Sequence, residues 1–351
     1  MPELENWAGI QKFACNSANQ YNTFVARMNE SSPFSASSGG RFVIVFGVGM
    51  AFSTAVTVNA LAQYNYTTLT VPGAEDTYAV GVSGNNVVGY YYNGSFYQGF
   101  LYNGSGYTTL DDPEAVDNST FGGTYVSGIS GNNIVGYYYN GTTDVGFLYN
   151  GSGFTTLNVP FSQSCDTAGV SGNDIVGNYI NVATYSVGSY LYDGNSYTPL
   201  NVPGQVSGIN GNNVVGNFVA NDGYNQGFIY NGSSYTTLNV PGAGNTMAFG
   251  ISGNNVVGYY DTGSGTTDRG FLFDGSGYTT LNVPGAEDTY AYGIDGNSVV
   301  GQYYNGNSDE SFLATPVPEP SILAFGSFAV GLLAIFRLAA ASNFEVSIRK
   351  N

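Results

Sequence analysis

The sequence predicts an all-β fold, a six-bladed β-propeller built from four-stranded repeats, and three observations predict it. A segment reading YTTL or a near variant starts at Tyr66, Tyr107, Phe154, Tyr197, Tyr235 and Tyr278, at spacings of 38 to 47 residues, which is the period of propeller blades. Each copy contains three further short runs, of AxGIS, NVVG and GFLY type, rich in Val, Ile, Tyr, Phe and Thr. These residue types fit a pleated, half-buried surface. The array opens on a YTTL run and closes on Ser311-Phe312-Leu313-Ala314, whose hairpin partner would be the next YTTL.

Taken in order, Tyr66 to Val71 is expected as the outer strand of blade six. That places both ends of the array in one sheet and leaves no long edge unpaired. The AxGIS runs at Ala79, Val126, Ala168, Val206, Ala248 and Ala291 are expected innermost, where crowding at the axis favours small side chains. The NVVG runs near Val87, Ile134, Ile175, Val214, Val256 and Val299 follow, then the GFLY runs near Phe100, Phe147, Tyr190, Phe228, Phe271 and Phe312. Between them stand SGNN at Ser83, Ser130 and Ser252, NGSG at Asn103 and Asn150, and DGSG at Asp274. These supply the positive-φ positions of tight hairpins and read as structural turns. An open stack of the same units is the alternative architecture.

Composition narrows the chemistry. The 351 residues carry a net charge of −17 and no histidine. Imidazole bases, Ser-His-Asp triads and histidine-ligated metals are therefore excluded. Between residues 63 and 315 the sole basic residue is Arg269, against 19 acids. Without a basic stripe to neutralise phosphates, nucleic acid is excluded as a partner. Cys165 is the one cysteine of that block. It has no intramolecular disulfide partner there, and a thiol with no histidine to activate it is a poor nucleophile.

The basic residues gather at the two ends. Arg41 precedes the apolar run Phe42 to Phe52, and Ala60 and Ala62 stand at −3 and −1 of a cleavage site before Gln63. This order reads as a secretory signal. Counting from Met28 brings the signal toward its usual length, which puts Trp7 and Cys15 ahead of the start. At the other end, Val317-Pro318-Glu319-Pro320-Ser321 precedes the apolar stretch Ile322 to Phe336 and then Arg337. The expected organisation is 1–62 extension and signal helix, 63–315 propeller, and 316–351 sorting signal with a transmembrane helix and a short tail.

The C-terminal order of a Pro-Glu-Pro box, an apolar helix and a base resembles the PEP-CTERM sorting signal of Gram-negative bacteria. The box falls at Pro318, Glu319 and Pro320 and the base at Arg337. The resemblance implies export, transient anchoring in the membrane, recognition by an exosortase, removal of the helix and delivery to the outer surface or extracellular matrix. The repeat, through its GFLY hairpin and its AxGIS and NVVGYY pair, resembles the HAF family of extracellular repeats. That family carries no activity across.

Function is expected on one face. The loop after NVP and the loop between third and fourth strands vary from unit to unit, and in an up-and-down blade both emerge at the same end. They hold fifteen of the block's 19 acids, and rigid scaffolds carry ligands on such loops. Three readings compete. The first is a non-catalytic binding or structural module associated with exopolysaccharide, with rings such as Tyr90-Tyr91-Tyr92 stacking on sugars. The second is Ca²⁺-dependent carbohydrate binding by the recurring GAEDT loops, Glu75 and Asp76, and Glu287 and Asp288, with Asp261 and Asp268 on a neighbouring loop. Hard cations suit such oxygens. The third is a carboxylate-based polysaccharide-active enzyme using paired acids such as Asp111 and Asp112. The non-enzymatic reading is preferred, with no cofactor and no assigned metal.

Overall fold

A computed structural model describes residues 64–117, 122–261 and 267–317. The signal segment with Ala60, Ala62 and Gln63, and the sorting segment from Pro318 through Arg337, lie outside the described residues. Among the described residues no helix is long and apolar enough to cross a membrane.

The described chain is β-strand and turn. The strands are β1 (Tyr64–Leu69), β2 (Asp76–Ser83), β3 (Asn86–Tyr92), β4 (Tyr97–Tyr102), β5 (Tyr107–Leu110), β6 (Thr124–Ser130), β7 (Asn133–Tyr139) and β8 (Asp144–Tyr149). Then come β9 (Phe154–Leu157), β10 (Ser162–Ser171), β11 (Asp174–Asn181), β12 (Val187–Tyr192), β13 (Tyr197–Leu200), β14 (Gln205–Asn210), β15 (Asn213–Val219) and β16 (Asn225–Tyr230). The last are β17 (Tyr235–Leu238), β18 (Thr246–Ser252), β19 (Asn255–Asp261), β20 (Asp268–Phe273), β21 (Tyr278–Leu281), β22 (Asp288–Asp295), β23 (Ser298–Tyr304) and β24 (Asp309–Pro316).

They form six antiparallel four-stranded sheets. Blades one to five are β2–β5, β6–β9, β10–β13, β14–β17 and β18–β21. Blade six has the order β1-β24-β23-β22, so the first strand completes the last blade. The expected six-bladed propeller, the closure by Tyr66 to Val71 and the innermost place of the AxGIS strands are all found, although β1 ends at Leu69.

The ring closes on hydrogen bonds that explain the SGNN turn. In each blade the first side chain of that turn accepts the N–H of the turn glycine in the next blade. Ser83 accepts Gly131, Ser130 accepts Gly172, Ser171 accepts Gly211, Asn210 accepts Gly253 and Ser252 accepts Gly296, at 2.9 to 3.1 Å. Asp295 Oδ2 accepts Gly84 N at 2.7 Å and completes the circle. At the seam between blades six and one, the buried Ser311 hydroxyl donates to Thr77 O (2.6 Å) and accepts Ala79 N–H (2.8 Å).

Each inner strand carries a β-bulge at the same place, opposite the glycine of NVVG. One extra residue there re-aims its side chain, and the six residues are Val80, Ser127, Ala168, Ser207, Phe249 and Tyr292. All six line the central axis. The register corrects one sequence assignment. Thr167, not Ala168, pairs with the NVVG glycine of blade three as Ala79 does in blade one, and Ala168 is the bulge residue.

The core lies between blades and repeats with them. The GFLY aromatic is fully buried in every blade, as Phe100, Phe147, Tyr190, Phe228, Phe271 and Phe312. Tyr190 breaks the pattern chemically but not sterically, because its hydroxyl donates to Asp166 O at 2.9 Å. Cys165 is buried beside it and donates to Leu157 O.

Candidate functional site

The variable loops and the strand ends nearest them surround one mouth of the axis. The inner strands place a residue there two positions before the bulge residue, and the second strands place one opposite. In blades one and two these are Tyr78 with Tyr90 and Tyr125 with Tyr137, each pair stacked at 4.9 Å. Tyr90 meets Tyr125 edge-on across the blade boundary at 5.2 Å, and Tyr97 lies 5.0 Å from Tyr125. Blades five and six supply a second aromatic group. Phe249 stacks on Tyr259 at 5.6 Å, Tyr259 meets Tyr290 at 4.8 Å, and Tyr292 meets Phe249 at 5.3 Å. Cross-strand and cross-blade ring pairs of this kind each contribute about 0.5–1.5 kcal/mol beyond burial, so the rings are held in place before any ligand arrives.

Blades three and four break the aromatic series. Asp166 and Asn178, then Gln205 and Asn217, stand where the others have rings. Asn178 and Asn217 use both ends of their amides on the next blade, bonding Val206 and Ala248 through N–H and carbonyl. The mouth is thus half aromatic and half carboxylate and amide.

The acids expected to hold a ligand separate into four groups. Asp111 and Asp261 serve the fold. Asp111 accepts Gln98 Nε2 (3.0 Å) and Thr124 Oγ1 (3.1 Å), while Asp261 accepts the N–H groups of Gly244 and Asn245. Glu75 and Glu287 are exposed at the turns, where their own N–H groups latch to Tyr92 O and Tyr304 O. Asp76, Asp268 and Asp288 approach the aromatic mouth. Asp268 Oδ2 accepts the Tyr290 hydroxyl at 3.0 Å, and Asp288 Oδ1 accepts Asp268 N at 2.8 Å. Asp112 is 4% exposed, with Oδ1 accepting Glu114 N. Among the described residues no group of three or more acids or cysteines is arranged to hold a metal ion.

Sequence reasoning pointed to the runs Tyr90-Tyr91-Tyr92 and Tyr137-Tyr138-Tyr139 but did not assign Tyr78, Tyr125, Tyr290, Phe249 and Tyr292 to the site. The available signal was the position just before each AxGIS strand segment, which is aromatic in blades one, two and six (Tyr78, Tyr125 and Tyr290) and not in three to five. The bulge itself leaves no mark in a binary pattern.

Burial and mutual repulsion set the charge of this face. Burial raises Asp112, Asp117, Asp144, Asp166, Asp268 and Asp309 above the ordinary aspartate value of 3.8, and Asp76 and Asp288 push Asp309 further in the same direction. Burial likewise pushes Tyr66, Tyr90, Tyr138 and Tyr197 up to about 12.

A group whose pKa is raised on folding stabilises the fold fully below its unfolded value, and that contribution is lost as pH rises through its folded value. The aspartates therefore make the chain more stable as pH falls from neutral toward 3.8. Asp193 and Asp274, lowered by hydrogen bonds from Ser196 and Ser276, act oppositely below that value. The tyrosine contribution disappears as pH climbs from 10 through about 12. Scanning calorimetry should give a higher Tm at about pH 5 than at about pH 7.5, and a steep fall above about pH 10. A Tm that drops between neutrality and pH 5 would contradict the assignment.

No protein-family model matches the chain, and no curated protein sequence matches it. Several solved propellers are similar in structure. The β-propeller domain of the Trilobed protease from Pyrococcus furiosus has 10% identity and a TM-score of 0.43, covering 71% of this chain and 97% of that one. The SapL1 lectin in complex with α-methyl fucoside has 15% identity and a TM-score of 0.46, covering 70% and 97%. The fungal Aleuria aurantia lectin, a six-bladed β-propeller, has 13% identity and a TM-score of 0.40, covering 73% and 99%. At such low identity they bear on no individual residue of this chain.

Proposed function

We propose that the chain is an exported protein of the cell surface or extracellular matrix, and that its propeller is a non-catalytic module binding exopolysaccharide. The observation that carries the binding is the mouth of the axis. Flat tyrosine rings, fixed by inter-blade stacking, share the mouth with Asp166 and Gln205, while the Asn178 and Asn217 amides are spent on the next blade. Sugars present an apolar C–H face and a rim of hydroxyls, which such a surface matches with ring stacking on one side and polar acceptors on the other. Rings already held in place lose little entropy on binding. Export rests on the Arg41 to Gln63 signal. Retention at the surface rests on the PEP-CTERM-like box Pro318-Glu319-Pro320 with Arg337, whose partners are the secretion machinery and an exosortase.

Hydrolysis is disfavoured by how the acids are used, since Asp111 and Asp261 spend their oxygens on hydrogen bonds within the fold. Calcium dependence is the second reading. It rests on the recurring GAEDT loops with Glu75, Asp76, Glu287 and Asp288, although among the described residues no group of three acids is arranged to hold the ion.

The test is a calorimetric titration of the full-length chain with its host's exopolysaccharide, with and without added Ca²⁺. Saturable heat without release of new reducing ends is expected. Tyr125→Ala should weaken binding by about tenfold, the equivalent of ~1.4 kcal/mol, whereas Tyr125→Phe keeps the stack and retains affinity. Absence of heat in both arms, or turnover of the polysaccharide, would sink the proposal.

A further inference from the structure

The large hydrophobic side chains that stand exposed among the described residues all fall between Phe161 and Tyr235, on the side of blades three and four. Two of them also have the left-handed backbone that favours glycine. Phe161 (φ 65°) and Tyr185 (φ 55°) are the non-glycine residues of positive φ among the described residues, and they are 80% and 73% exposed.

The repeat itself shows what Phe161 displaces. The turns Val71-Pro72-Gly73, Val240-Pro241-Gly242 and Val283-Pro284-Gly285 put glycine at φ 84° to 85°. Val159-Pro160-Phe161 makes the same turn, closed by the same N–H to valine carbonyl bond, here Ser162 N to Val159 O at 3.2 Å. A bulky residue in this region is strained. A ring that is four-fifths exposed gains no packing within the chain to offset that strain.

The two rings are held on one rigid unit. Phe161 O accepts Val182 N–H at 3.0 Å, which ties the turn to the β11–β12 hairpin carrying Tyr185. In that hairpin Asn181 Oδ1 accepts the N–H groups of Ala183 and Thr184, and Tyr185 N donates to Asn181 O at 2.9 Å. Val187, half exposed at the start of β12, continues from the hairpin into a cleft of about 230 Å³ between blades three and four. Leu200, Val202 and Pro203 line it, with Gln205 at its rim.

We infer that this flank is a binding site for an uncharged polysaccharide segment, with Phe161 and Tyr185 stacking on the C–H faces of sugar rings and the cleft receiving one ring. The inference rests on the carbohydrate-binding reading above and places a contact outside the axial mouth. Charge selects the ligand. No Lys or Arg occurs between Arg41 and Arg269, and the net charge is −17. A uronate or sulfated chain finds no cation here and is repelled, whereas a neutral chain is not.

The test titrates the full-length chain with neutral hexose oligosaccharides and with alginate oligosaccharides, and repeats it for Phe161→Gly and Tyr185→Gly. Glycine is what the same backbone takes without strain, so both variants should melt at or above the parent temperature. The expected result is binding of the neutral series alone, weakened at least tenfold in each variant. Neutral binding of undiminished strength in both variants overturns this site and leaves the axial mouth as the binding surface. Failure of the parent to bind either series overturns both readings. Preference for alginate overturns the charge argument. A change in sedimentation mass on removing the rings, with sugar affinity unchanged, makes the flank a contact between copies and overturns it as well.

Discussion

Deleting Tyr64–Leu69 is expected to remove most of the stability of the propeller, because this strand belongs to blade six while sitting hundreds of residues away from it in sequence. All six of its residues pair with β24, from Tyr64 with Pro316 to Leu69 with Ser311. Leu69, 3% exposed, also reaches the core shared with blade one, among Ala79, Val87, Tyr91 and Phe100. Tyr66 packs edge-on against Phe312 at 5.6 Å. The deletion exposes the whole edge of β24 and one side of its buried aromatic. Domains hold only about 5–15 kcal/mol in total, and an unpaired apolar edge invites association. The chain should lose its cooperative urea transition or aggregate. A point variant scales the effect. Leu69→Ala should cost about 2–5 kcal/mol, whereas Leu200→Ala, at the equivalent place in blade three but only half-buried, should cost clearly less. Equal urea midpoints for the two variants would contradict the closure argument.

What the sequence makes legible follows from what repeats. Six copies of a four-run unit, an opening YTTL and a closing SFLA without a partner contain the blade count, the strand order and the closure, because pairing is decided by short patterns written out six times. The SGNN turns were legible as turns but not as the ring of inter-blade hydrogen bonds from Ser83 around to Asp295. A side chain's partner in the next blade leaves no trace in local pattern. The acid-rich end was legible from loop variation. Its chemistry was not, since Asp111 and Asp112 look alike in sequence, yet one is consumed by Gln98 and Thr124 and the other is nearly closed off from solvent. Part of the aromatic mouth, Phe249 and Tyr292, depends on the inner-strand bulge that they occupy. A period-two reading passes over it. Phe161 was invisible for the opposite reason: only comparison with Gly73, Gly242 and Gly285, once their φ angles are known, shows that a ring stands in a glycine's place.

The bulge also explains why each NVVG run ends in glycine, and the second large effect is expected there. Gly258 lies opposite the bulge of blade five, pairing with Ala248 just before Phe249 is squeezed out of the ladder. A Cβ at Gly258 would overlap the carbonyl of Met247 and come within 2.8 Å of the Phe271 ring. The carbonyl belongs to the inner strand, and the ring is wholly buried in the core shared with blade four, beside Val215 and Leu238, so neither can move aside without disturbing the packing between blades. The same two obstacles, an inner-strand carbonyl and the GFLY ring, face Gly89, Gly136, Gly177, Gly216 and Gly301. Overpacking where a side chain can yield costs roughly 1–3 kcal/mol. Here the obstacle includes backbone, and Gly258→Ala should cost about 3 kcal/mol or more, lowering the urea midpoint well beyond the effect of any surface change. Gly277→Ala is the matched control, because its Cβ would meet nothing within 4 Å and its φ lies outside the left-handed region. It should leave the midpoint unchanged or slightly raised, as replacing an unconstrained glycine reduces the entropy of the unfolded chain. If both alanine variants melt like the parent, the glycine of NVVG is a turn preference and not a steric requirement of the bulge, and the route by which the inner strands aim Phe249 and Tyr292 at the axis must be redrawn.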